Sequence, residues 1–250
     1  DEDPPALVVG TDPSAESQST SPTAPSDTVD DTPAQVGDVD AAVIALKELG
    51  AKIELDDNGK VVIVDLTLAQ ITDAGLVYLK EFTKLERLNL FNTQVTDAGI
   101  VHLQELTNLQ ILHLEGTQIT DAGLVHLKGL TKLQRLGLSG LQITDAWLVH
   151  LKELTKLEIL YLGNTQITDA GLVHLQGLTK LEALILEKTQ VTDAGLVHLK
   201  DHTKLKFLIL FGTKITDAGL VHLPGLINLK LLGLDRTQIT DEGLVHLKGL

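Results

Sequence analysis

The sequence predicts an α/β solenoid, built from stacked turns that each hold one short strand and one short helix, behind an N-terminal helix and hairpin. Three observations predict it. The segment Thr-Asp-Ala-Gly-Leu begins at Thr72, Thr96, Thr120, Thr144, Thr168, Thr192, Thr216 and Thr240, a constant 24-residue spacing, with single changes at Ile100, Trp147 and Glu242. Self-similarity at a fixed period of roughly 20 to 30 residues marks repeats that touch only their neighbours. Each period also carries Leu-x-x-Leu-x-Leu, as at Leu85, Leu88 and Leu90, which gives a strand one inward row. Finally, the chain is 43% hydrophobic but only 3% aromatic, which suits a thin interior of regular aliphatic layers.

Residues 1–37 hold six of the seven prolines, many Ser, Thr and Asp, and no sustained hydrophobic period. Such a segment cannot bury enough apolar surface to offset its ordering entropy. It is expected to be a disordered acidic linker, acting either as a tether or as a plain flexible terminus. Order is expected from residue 38. Asp38 can cap a helix whose apolar positions Val39, Ala42, Val43, Leu46 and Leu49 follow a helical period, and Gly50 ends it. Asn58-Gly59 between Lys52-Ile53-Glu54-Leu55 and Val61-Val62-Ile63-Val64 is a strong hairpin signal. Residues 38–60 are therefore expected to form a cap and residues 61–250 the repeats. In each repeat, Thr-Asp opens a short helix whose capping groups satisfy free N–H groups. Ile100, Leu103 and Leu106 return the type helix to the core.

Seven copies of the frame Leu-x-x-Leu-x-Leu-x-x-Thr-x-[Ile/Val]-Thr-Asp-Ala-Gly-Leu largely agree across residues 61–250. On that frame the chain resembles the leucine-rich repeat family, most nearly the repeats of bacterial surface and secreted proteins. Its Ile-Thr-Asp-Ala-Gly-Leu half is also similar to repeats of eukaryotic F-box substrate receptors. The resemblance implies a right-handed horseshoe, with a parallel sheet on the concave side, short helices on the convex side and a protein partner on the concave face. Where the family usually has Asn or Cys, this chain has Thr93, Thr117, Thr165, Thr189, Thr213 and Thr237, expected to bond backbone of the adjacent turn as a threonine ladder.

Charge and composition exclude several functions. The net charge is −14, yet residues 1–40 carry ten acids and no Lys or Arg, so the rest of the chain is only −4. Neither part has the basic surface that nucleic acid requires. There is no Cys, hence no disulfide and no thiolate metal site, and no run of apolar residues is long enough to span a membrane. The absence of Met suggests either the mature form of a processed chain or a chain whose start has been removed. His102, His126, His150, His174, His198, His222 and His246 form one column, but apart from His198, which has His202 four residues on, none has the second His that a helical zinc motif would need. The eight Asp of the repeated segment are assigned to helix capping rather than to acid–base work or Ca²⁺. No phosphate loop or catalytic triad stands out, so neither enzyme activity nor cofactor is expected.

Function should then sit where repeats differ. Alternation along each strand places three residues per turn on the concave face. The first half reads mixed and polar, with Arg87, His113, Glu115 and Arg135. The second reads apolar, with Ile159, Tyr161, Ile185, Phe207, Ile209, Phe211 and Leu231. Arg87, His113, Arg135 and those seven are the candidate partner-binding residues, since an apolar patch with aromatic anchors is typical of an interaction site. The expected function is protein–protein interaction, non-enzymatic and extracytoplasmic: secreted, periplasmic or surface-tethered. Two alternatives stand beside it: a substrate-recognition adaptor of a ubiquitin-ligase type complex, and a structural or assembly module. The last turn, Leu229 to Leu250, would leave its core edge open. Either the chain is truncated there, or another chain covers the edge, as in an end-to-end homodimer. Leu141 replaces a ladder Thr and is expected to pack inward, and Trp147 is expected to be at least partly exposed on the convex side.

Overall fold

The computed structural model describes residues 38–248; the 1–37 segment and its expected linker character lie outside them. Asp38 starts α1 (Val39–Glu48), its carboxylate accepting the N–H groups of Asp40 and Ala41. Gly50, at φ +99°, ends the helix. Ala42 and Leu46 are buried and seat α1 over the first turn. β1 (Lys52–Leu55) then pairs antiparallel with β2 (Val61–Asp65) around a loop in which Asp56 accepts the N–H groups of Asn58 and Lys60.

From β2 onward the strands are parallel and in chain order: β3 (Arg87–Asn89), β4 (Ile111–His113), β5 (Arg135–Gly137), β6 (Ile159–Tyr161), β7 (Ala183–Ile185), β8 (Phe207–Ile209) and β9 (Leu231–Gly233). Register is uniform, each residue pairing with the one 24 positions on. Between strands lie single α-turns, α2 (Asp97–Ile100), α3 (Asp121–Leu124), α4 (Asp145–Leu148), α5 (Asp169–Leu172) and α6 (Asp193–Leu196), each running on into 3₁₀ helix. The first and the last two repeats have 3₁₀ helix alone, at Asp73–Glu81, Asp217–His222 and Gly243–Leu247. The Leu columns fill the space between sheet and helices, and from Leu85 to Leu226 their members are essentially inaccessible. Burying a Leu side chain contributes about 2 kcal/mol, so this column is the main source of cohesion.

The polar columns connect differently from expectation. Thr93, Thr117, Thr165, Thr189 and Thr213 are buried, but each hydroxyl donates to the carbonyl three residues back in its own turn, as Thr93 does to Leu90 at 2.8 Å. A hydroxyl on a short side chain reaches its own turn first, so there is no threonine ladder between turns here. The ladder that joins turns is made by the Asp column. The Asp73 carboxylate accepts the Thr96 N–H at 2.8 Å and the Thr96 hydroxyl at 2.6 Å. The same pair links Asp97 to Thr120, Asp121 to Thr144, Asp145 to Thr168, Asp169 to Thr192, Asp193 to Thr216 and Asp217 to Thr240. The Thr hydroxyl in turn caps its own helix, accepting an N–H two residues on, as from Ala98. Helix capping thus belongs to Thr, and each Asp from Asp73 to Asp217 binds the following repeat.

Trp147 corrects a second expectation, since it is 2% exposed rather than solvent-facing. Its column is Gly elsewhere, because a Cβ at Gly99, Gly123, Gly171, Gly195 or Gly219 would collide with the preceding repeat's Asp carboxylate. The indole is driven into the interior, with its Nε1–H unpartnered, beside the longest Asp–Thr link, 3.0 Å from Asp121 to the Thr144 N–H. Leu141 packs inward at 1% exposure. At the far end, Leu229, Leu232, Leu234, Ile239 and Leu247 are only partly buried, and Leu244 is 46% exposed.

Candidate functional site

Two in-register rows run along the concave face. One is Ile63, Arg87, Ile111, Arg135, Ile159, Ala183, Phe207 and Leu231. The other is Asp65, Asn89, His113, Gly137, Tyr161, Ile185, Ile209 and Gly233. Beyond the strands, Phe91, Glu115, Ser139, Gly163, Glu187, Phe211 and Asp235 extend the face. Register therefore brings Ile159, Tyr161, Ile185, Phe207, Ile209 and Leu231 onto four adjacent strands, about 4.8 Å apart. Phe207 and Leu231 are the most open, at 42% and 47% exposed, and Ile159, Tyr161, Ile185, Ile209 and Phe211 are half-buried. Ala183 interrupts the patch, being buried in its floor.

The polar half is internally satisfied where it is most crowded. His113 Nδ1 lies 3.1 Å from the Glu115 carboxylate. A Cβ on Gly137 would collide with that carboxylate, so the missing side chain there lets Glu115 lie flat on β5. The same gap lets the His113 and Tyr161 rings approach across β5, with centroids 6.2 Å apart. His113 and Tyr161 thus join the polar and apolar halves. Arg87 and Arg135 are exposed, two strands apart, with no carboxylate partner among the described residues.

Sequence reasoning passed over two features. After the outer concave position each turn passes through the left-handed region, at Leu68, Asn92, Gly116, Gly140, Asn164, Lys188, Gly212 and Arg236. Asn and Gly at five of these positions signal that conformation. Lys188 and Arg236 do not suit it, and both place their charge over Phe211, Arg236 Cζ at 5.2 Å and Lys188 Nζ at 5.8 Å from the ring centroid. The other feature is His202, which stands in a column of Leu and is fully buried. Its Nε2–H donates to the Leu175 carbonyl at 3.0 Å, while Nδ1 has no partner. Burial pushes its pKa below the usual 6.5, against smaller opposing effects of the Leu175 and Leu199 backbone and of Asp201.

On the convex side the repeated His are mostly half-buried. Burial, aided by Lys80 and opposed by Asp73, lowers the pKa of His102. Among the described residues, no three His, Asp or Glu side chains are placed to share a metal ion.

Strands inside, helical turns outside and constant leucine columns between them define a solenoid whose variable surface is a sheet face rather than a pocket. A family model described as leucine-rich repeat matches residues 83–103, 105–127, 153–175 and 201–223, which marks these four segments as leucine-rich repeats. Internalin C2 from Listeria monocytogenes is 24% identical with a TM-score of 0.57, over 81% of this chain and 92% of its own. The Arabidopsis receptor kinase HAESA ectodomain, solved with an IDA peptide hormone, is 16% identical with a TM-score of 0.56, over 80% of this chain and 42% of its own. PEPR1, solved with AtPEP1, is 19% identical with a TM-score of 0.52, over 75% of this chain; the match spans about a quarter of PEPR1, 26%. These likenesses establish the fold. No curated protein matches the sequence.

Proposed function

We propose that the chain is a non-enzymatic binding protein that holds a protein or peptide partner across its concave face. The observation that carries this is the run of Ile159, Tyr161, Ile185, Phe207, Ile209, Phe211 and Leu231, contiguous by register and left partly open to solvent. Exposed apolar surface with aromatic anchors is costly for a monomer to keep and is typical of interaction sites. Arg87, His113 and Arg135 supply a polar border that orients the partner. The HAESA structure, which holds a peptide hormone, is compatible with this reading. An extracytoplasmic setting belongs to the same proposal and rests on the acidic Pro/Ser/Thr-rich N-terminal segment.

The test is amide exchange of the chain with a captured partner, alongside a Tyr161→Ser, Phe207→Ser double variant. Protection centred on β6–β9 and at least a tenfold loss of affinity in the variant are expected. Protection confined to the convex helices, with affinity unchanged, overturns the reading.

A further inference from the structure

The cations around Phe211 carry an inference that rests on the concave reading and gives the partner a chemistry. Lys188 and Arg236 flank one ring from the turns before and after it. Between them stands Gly212, where a Cβ would meet only Lys188, at 3.5 Å from its Cγ. Both residues sit at φ near +55°, a backbone conformation that costs long side chains more than the Asn or Gly found at five other turns. Neither cation has a carboxylate partner among the described residues, where the ion pairs are His113–Glu115 and Lys206–Glu182. Glu187, next to Lys188, lies over Gly163, on the side away from Phe211. Lys188 Nζ lies 5.8 Å and Arg236 Cζ 5.2 Å from the ring centroid, and a cation stacked on an aromatic face keeps its outward donors free.

We propose that Lys188, Phe211 and Arg236 form an anion-accepting subsite that takes a carboxylate of an extended acidic peptide, whose neighbouring apolar side chain rests on Phe207 and Leu231. A carboxylate matches a cation that has no acidic partner, and Arg236 offers it a planar pair of donors. Asp235 and Glu187, next in sequence to the cations, disfavour a doubly charged phosphate. The carboxylate can come from an Asp or Glu side chain or from a peptide C-terminus.

The experiment screens the full chain against displayed hexapeptides of acidic, neutral, basic and phosphorylated composition, then measures the selected peptides, as free acid and as amide, by fluorescence anisotropy. Selection of Asp or Glu beside Leu or Phe is expected, with affinity falling several-fold between 0.05 and 0.3 M NaCl. A free acid that binds tenfold better than its amide identifies the terminal carboxylate, and equal binding identifies a side chain. K188N/R236N introduces the residue found at Asn92 and Asn164. It is expected to raise Tm, because the backbone relaxes, while lowering affinity at least tenfold; K204N, an exposed lysine away from the ring, changes neither. The rise in Tm keeps lost binding from being read as lost folding. Acidic peptides that bind K188N/R236N undiminished overturn the proposal, as does selection of neutral, basic or solely phosphorylated peptides, or of none. Selected non-acidic peptides that are lost on Tyr161→Ser would leave the concave reading standing without this subsite, whereas peptides indifferent to Tyr161→Ser and Phe207→Ser would remove both.

Discussion

Two sets of columns run the length of the solenoid, and they differ in what their members touch. The Asp, Thr, Gly and Leu columns are spent on the protein itself. Each Asp is saturated by the next turn's Thr, each Gly makes room for that Asp, and each Leu is sealed from water. Members of the concave rows bond little to one another and stay partly open. A residue repeated at every turn therefore points to construction, and a position that changes at every turn is one that construction leaves free.

Breaking the first set should cost stability. Leu160→Ala, at the centre of β6, is expected to cost about 2–5 kcal/mol, since it empties a fully packed site. Urea unfolding measures this, and a shift below about 1 kcal/mol would show that neighbouring turns collapse to fill the gap. Asp145→Ala strips the Thr168 N–H and hydroxyl of their charged acceptor in an interior link. About 2 kcal/mol is expected from hydrogen bonds to a charged group, with the concave face unaltered in the molecules that remain folded. Asp217, whose carboxylate is held below its usual 3.8 by the hydroxyl and N–H of Thr240, gives an acid signature. That link is fully present above the unfolded pKa and is lost as pH falls through the lowered folded pKa, a dependence that Asp217→Asn should abolish.

His202 sharpens the comparison because it breaks a constructional column without reaching the concave face. Its neutral form is favoured by the fold, so its stability is fully present above pH 6.5 and is lost as pH falls from there through the lowered folded pKa. His202→Leu, restoring the column, is expected to stabilise by about 1 kcal/mol at pH 5 and by less at pH 8. Equal Tm gains at both pH values would show that packing, not charge, governs the site. Phe207→Ser should be smallest, within about 0.5 kcal/mol. A loss above about 2 kcal/mol would place Phe207 with the construction and undo the distinction.

Much of this was legible in the sequence because a fixed period converts a linear text into a register. Once Leu85 and Leu109 are known to be equivalent, pairing of Arg87 with Ile111 follows, and so does the contiguity of Ile159 through Leu231. What escaped depends on direction through space. No spacing tells whether Asp97 turns back to its own helix or forward to Thr120. The place of Trp147 at a helix start suggests at least partial exposure, but its column is Gly for want of room toward the preceding turn. His202 was hidden by its position just outside the repeated segment. The cations at Phe211 were signalled by the Asn and Gly of their column, a backbone signal easily taken for ordinary turn chemistry.

The Asp–Thr link carries one more consequence. Every turn completes the one before it with the same two bonds at the same sequence separation. Removing or adding one whole turn leaves every junction chemically equivalent to those already present, while a partial insertion leaves a carboxylate facing the wrong backbone. The chain can thus lengthen or shorten only in complete units. Each unit gained or lost moves one strip of the concave face in or out and leaves the others intact, so the size of the variable face can change independently of its pattern.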